Sequence, residues 1–235
     1  MDKLLTLLLA PWLLWQARRV RRYALRLPEA SGLRNGVYGS GPPLGVLVLG
    51  DSAAAGVGCA SQSEAITGHW LNHLASRYRV HWQLLAQSGL NCAQVLQLLK
   101  SSPVVVNPVD TVLLSVGVND VTGRTSPKKW LSDLEQMTGY LRRQLGVKII
   151  IYTALPPMQR FPALPQPLRW FLGRRAGLLD ALLKKHCRQH AGLHHVQIEL
   201  PFDAEFIASD GFHPSSKGAQ VWAQAVAKIY LQAKA

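Results

Sequence analysis

Five short runs rich in branched and aromatic apolar residues punctuate the chain: LGVLVLG (44–50), RVHWQLLAQ (79–87), DTVLLSVG (110–117), VKIIIYT (147–153) and HHVQIEL (194–200). Between and after them, apolar positions recur at helical spacing near 62–77, 91–101, 126–145, 166–190 and 216–232. Several of the runs are apolar almost without alternation, as expected of strands covered on both faces. Strand–helix alternation with right-handed crossovers predicts a three-layer α/β/α architecture around five parallel strands in the order 2-1-3-4-5. No internal repeat is evident.

The ends of the chain change this picture. LLTLLLAPWLLW (4–15) is followed at once by RRVRR (18–22), and then by LPEASGLRNGVYGSGPP (27–43), whose Gly, Pro and Ser content predicts a linker. Twelve helical residues cover roughly 18 Å, short of the ~30 Å hydrocarbon core of a bilayer. The expectation is therefore a membrane-associating segment over 1–26, with Trp12 and Trp15 at the interface and the arginines on anionic headgroups at the cytoplasmic face. An uncleaved export signal is the alternative. On this reading 1–26 is an appendage, 27–43 its linker, and 44–235 the folded domain.

Charge supports the same partner. The chain carries 26 Lys and Arg against 13 Asp and Glu, a net +13. Seven basic residues face two acids in 1–35, and seven face only Asp180 in 158–190. Such fields attract anionic membranes or nucleic acid, and with no nucleic-acid-binding motif beside them the membrane is the expected partner. Three cysteines without C-x-x-C spacing, Cys59, Cys92 and Cys187, suggest neither a disulfide framework nor a zinc site.

Candidate chemistry gathers at strand ends, where open α/β sheets bind ligands. The first strand delivers Gly50-Asp51-Ser52 with Gly56 closing the turn; the second QSGLN, with Gly89; the third GVND, with Asn119 and Asp120. Downstream, SDGFHPSSKG places Asp210 three residues before His213. Acyl transfer needs an activated hydroxyl, a base, an acid orienting that base, and donors for the oxyanion. Ser52, His213 and Asp210 fill the first three roles. The backbone N–H groups of Ser52 and Gly89 and the amide of Asn119 fill the last, Gly89 allowing close approach for want of a Cβ.

These blocks, in this order, resemble the SGNH (GDSL-type) hydrolase family: GDS-x-x-x-G at 50–56, the glycine block at Gly89, G-x-N-D at 117–120 and D-x-x-H at 210–213, over roughly 44–232. The resemblance implies the flavodoxin-like SGNH hydrolase fold and cofactor-free, metal-free hydrolysis of an acyl ester. It also implies roles for Ser52, Gly89, Asn119, His213 and Asp210 matching those above. Ala53 and Asn91 stand where leucine and threonine are frequent, positions that bear on substrate. Acyl esters, thioesters, lysophospholipids and acetylated sugars all fall within the family's range. Anchor and charge favour lipid-like or aryl acyl esters, with carbohydrate deacetylation, acyl transfer or a non-enzymatic binding scaffold as alternatives.

Competing motifs are weaker. Ala54 occupies the last glycine of a G-x-S-x-G elbow, Ser61 the third of a dinucleotide fingerprint, and no P-loop follows. His69 and His73 lack the third ligand of a metal site. Asp51 and Asp120 are expected to order loops, and His186, His190, His194 and His195 to be solvent-exposed. FPALPQPLRWFLGRR (161–175) reads either as a core helix with a proline-stiffened entry or as an apolar wall beside the site, with Phe161, Leu164, Trp170 and Phe171 contacting substrate.

Overall fold

The computed structural model describes residues 2–234. The five apolar runs form β2 (Pro43–Gly50), β3 (Arg79–Ala86), β4 (Thr111–Ser115), β5 (Ile149–Thr153) and β6 (Leu193–Val196), mutually parallel in the spatial order β3-β2-β4-β5-β6. That is the expected 2-1-3-4-5 order. The sheet nevertheless has six strands, because β1 (Asn35–Tyr38) pairs antiparallel with β3 at the edge. It is four residues long, mostly exposed, and has no period-two pattern to betray it.

Alternate strand residues feed two cores. Leu47, Leu49, Val112, Leu114, Ile150 and Tyr152 face α3 (Cys92–Ser101), α5 (Pro127–Leu145) and α6 (Leu168–Gln189). Val46, Val48, Leu113 and Ile151 face α2 (Ile66–Ala75) and α7 (Ser216–Lys234). Local signals set the helix ends. Asn91 forms a capping box with Gln94 at the start of α3, and Ser126 accepts the Lys129 N–H ahead of Pro127 in α5. Gly146 closes α5 in the left-handed conformation.

Two expectations about the N-terminal region are corrected. Segment 27–43 is more than a linker: besides β1 it contains buried Ala30, whose carbonyl accepts the Gln62 amide, and Glu29, which accepts the Ser88 N–H and pairs with Arg34. Nor is the first helix, α1 (Asp2–Tyr23), an appendage. Leu13 is buried in the α5/α6 core, and Leu9, Ala17 and Val20 pack against it. The side chains of 4–8, within the apolar run 4–15, lie outside the described residues. No described helix is long and apolar enough to cross a membrane.

Candidate active site

Where β2 ends, the chain must turn beside β4. The Asp51 N–H donates to Ser115 O (3.1 Å). A Cβ on Gly50 would stand 2.4 Å from that same oxygen, so any side chain there would push the turn off the sheet. The turn that follows presents Ser52, half-buried, above the carboxyl edge of the strands. Gly58 brings in the opposing loop: its φ is +99°, and a Cβ would stand 2.4 Å from Pro214 O. The Ser52 turn and the loop carrying His213 therefore touch. No sequence motif signals this role of Gly58, because the contact joins residues too far apart in sequence for any spacing to reveal it.

His213 Nε2 lies 2.8 Å from Ser52 Oγ, and Nδ1 lies 2.5 Å from Asp210 Oδ2. The other carboxylate oxygen of Asp210 accepts the backbone N–H groups of Phe212 (2.9 Å) and His213 (3.0 Å). Burial by itself would raise the Asp210 pKa. The hydrogen bonds from the His213 ring and from the two backbone N–H groups outweigh it and hold the carboxyl below its ordinary value. An ionised aspartate, an imidazole and a hydroxyl in hydrogen-bonded series can carry a proton away from the hydroxyl as it attacks a carbonyl.

Asn119, in α4 (Val118–Thr122), donates its amide to Leu90 O (3.0 Å), with Asp51 Oδ2 3.5 Å away. It lines the same cavity as Ser52 and His213. Gly89 lies one residue before that carbonyl, exposed and at φ +85°, outside the cavity lining, with open space where a Cβ would be. Asp120 ties the loops together: Oδ2 accepts the Cys92 N–H and Oδ1 the Thr125 hydroxyl, both at 2.9 Å. Asp51 is fully enclosed, and burial pushes its pKa up to about 7 against the opposing Ala53 N–H and His213. Its folded pKa being raised, it weakens the fold as pH climbs from the ordinary carboxylate range toward 7.

The cavity measures about 1070 Å³. Phe161 and Leu164 line it; Trp170 and Phe171 do not. Helical geometry explains this correction. Residues three or four apart share a face, and the α6 positions that reach the cavity, Leu168, Leu172, Gly173, Gly177 and Asp180, fall on one side of the helix that leaves out Trp170 and Phe171. Trp170 is turned outward with the Arg174 guanidinium 5.0 Å from its ring, while Phe171 packs on the neighbouring core. The histidines near the last strand also depart from expectation. His186 is buried, hydrogen-bonded to Thr138 and pushed down to about pKa 4 by burial and by His190 and Arg142. The His195 side chain is largely buried and meets Asp180 at 2.9 Å. Among the described residues, no group of three or more His, Cys, Asp or Glu is placed to hold a metal ion.

Among curated proteins, no relative matches the sequence. Similar solved structures include a lipase/acylhydrolase from Enterococcus faecalis, 20% identical with TM-score 0.56, the match covering 79% of this chain and 94% of that one. A psychrotrophic esterase from Pseudoalteromonas is 18% identical with TM-score 0.58, covering 80% and 98%. An acetylxylan esterase from Geobacillus stearothermophilus is 16% identical with TM-score 0.55, covering 80% and 94%. At these identities the likeness establishes the fold. The sequence itself matches the model of the GDSL-like Lipase/Acylhydrolase family over residues 48–221, a stretch that runs from β2 past His213 into α7. With most of its length accounted for in this way, the chain belongs to the GDSL-like lipase/acylhydrolase family and is a carboxylic ester hydrolase.

Proposed function

We propose that the chain hydrolyses esters of medium or long acyl chains at an anionic membrane surface, with Ser52 as nucleophile, His213 as general base and acid, and Asp210 orienting His213. The observation that carries this reading is the unbroken series Asp210–His213–Ser52 opening into a cavity of about 1070 Å³ whose walls include Leu155, Met158, Phe161 and Leu164. That volume matches the top of the ~300–1,000 Å³ range of small-molecule sites and exceeds the needs of an acetyl group.

Ser52 Oγ adds to the acyl carbonyl carbon as His213 Nε2 takes its proton, and Asp210 stabilises the imidazolium. The oxyanion is held by the N–H group of Ser52 and the Asn119 amide, both of which line the cavity; Gly89 stands outside that lining, and its N–H is assigned to the oxyanion by the family's motif alone. Collapse expels the alcohol, protonated by His213, and leaves the acyl group on Ser52; water activated by the same histidine then releases the acid. Asn119→Ala is expected to lower kcat about 10²- to 10³-fold, with little change in KM, on p-nitrophenyl butyrate. An unchanged kcat would remove Asn119 from the oxyanion site.

Membrane association is supported by the outer face of α1. Trp12 and Trp15 are exposed and stacked with centroids 5.0 Å apart, Arg19 lies 5.4 Å from the Trp15 ring, and Arg18 and Arg22 are exposed beside them. Interfacial tryptophans with arginines suit the headgroup region of an anionic, cytoplasmic leaflet. The test is a p-nitrophenyl ester series from acetyl to palmitoyl, on wild type and Ser52→Ala, with and without phosphatidylglycerol vesicles. Serine-dependent turnover peaking beyond butyryl and rising with vesicles is expected. A sharp acetyl optimum would instead identify a deacetylase, and absence of serine-dependent turnover would overturn the proposal.

A further inference from the structure

We infer that α1 is a wall of the acyl-binding cavity and that Ala17 and Val20 set the chain length it accepts. The inference rests on the esterase reading of that cavity, and it concerns a helix lying wholly before the family-matching stretch 48–221.

α1 has two faces. Leu9, Leu13, Gln16, Ala17 and Val20 follow helical spacing along the side turned to the body, opposite the exposed Trp12, Trp15 and Arg19. Gln16 fixes the contact. It is buried; its amide nitrogen donates to Gln166 O (2.6 Å), and its amide oxygen accepts the Leu168 N–H (3.1 Å). Both ends of one side chain thus bind the N-terminus of α6, where helix donors lack partners within the helix. That bidentate contact sets both the rotation and the register of α1 against α6.

The next turn of α1 falls inside the site. Ala17 and Val20 line the Ser52 cavity together with Leu164 and Leu168. Val20 and Leu164 also line a second groove of about 630 Å³ on the other side, bounded by Trp15, Tyr23 and Pro165. Val20 is therefore part of a partition: a larger side chain there occupies space on the Ser52 side, and a smaller one opens the cavity toward the groove. An acyl chain attached at Ser52 and extending along the apolar wall meets this partition at a depth set by chain length.

The experiment uses the full chain carrying Val20→Trp or Val20→Ala and reads the ratio of kcat/KM for p-nitrophenyl laurate to that for acetate. One misfitting methylene in an apolar pocket changes such ratios by roughly 10- to 200-fold. Val20→Trp is therefore expected to lower the laurate-to-acetate ratio about tenfold or more, and Val20→Ala to move the optimum toward longer chains. Ratios within twofold of wild type in both variants would overturn the inference, as would an equal fall for every chain length. Circular dichroism checks the fold of the tryptophan variant, and the milder alanine variant decides the matter if the first misfolds. Labelling rates at Ser52 with ethyl and dodecyl fluorophosphonates give the same ratio without ester turnover. Absence of both turnover and labelling in wild type removes the proposed function together with this inference; turnover with an unaltered chain-length profile removes only the role of α1.

Discussion

Ser52→Ala is expected to lower kcat for p-nitrophenyl esters by about 10⁵- to 10⁶-fold, the scale seen when the nucleophile of a serine hydrolase is removed. The reason lies in the 2.8 Å contact between Ser52 Oγ and His213 Nε2. Without the hydroxyl no acyl-enzyme forms, and His213 can act only on water. The remaining oxyanion donors still favour the transition state, so a residual rate above the uncatalysed one is expected. His213→Ala should fall to a similar level, and the double variant no further, because the two residues act as a unit. Loss of less than tenfold in Ser52→Ala, measured with enzyme freed of wild-type contamination, would mean that the hydroxyl is not the attacking group.

The second large effect is expected at Asp210. Asp210→Asn should lower kcat about 10⁴-fold with KM little changed, as when an asparagine replaces the aspartate of such a triad. The geometry identifies the cause. Oδ1 accepts the N–H groups of Phe212 and His213, a duty the asparagine carbonyl can keep; that leaves the amide NH₂ at the Oδ2 position facing His213 Nδ1. A donor there selects the tautomer with its proton on Nε2, pointed at Ser52, and the base is lost. Stability gives an independent readout. Since Asp210 is held below the ordinary carboxylate pKa, its ionised form stabilises the fold above that value, and the contribution is lost as pH falls through the lower folded value. The melting-temperature gap between wild type and Asp210→Asn should accordingly shrink on acidification. A gap independent of pH, with kcat reduced less than tenfold, would overturn this account.

Some of this molecule was legible from one dimension, for identifiable reasons. Buried parallel strands must be apolar on both faces, so β2, β4 and β5 announced themselves as continuous runs. Apolar periodicity alone placed a helix near 126–145, and the structure's α5 agrees within a residue because its ends are set locally, by Ser126 and Pro127 at the start and Gly146 at the close. The four motif blocks were visible because each is a strand end or short loop whose residues act together within a few positions of one another. β1 left no such trace: an exposed four-residue edge strand is held by its pairing with β3, and its own side chains bury little. Trp170 and Phe171 misled because the phase of α6 relative to the cavity depends on where that helix begins and what it packs against.

Periodicity and short-range spacing encode directly the alternation of strands and helices and the four short blocks that carry Ser52, Gly89, Asn119, Asp210 and His213. Tertiary structure alone decided that α1 is part of the folded body. An apolar helix followed by arginines has the same pattern whether it rests on a membrane or on its own protein, and only the docking of Gln16 against Gln166 and Leu168, some 150 residues away, separates the two. The same holds for Gly58 against Pro214 and for the walls of the cavity. Contacts between distant segments depend on shape and packing summed over the whole chain, and no local pattern carries that information.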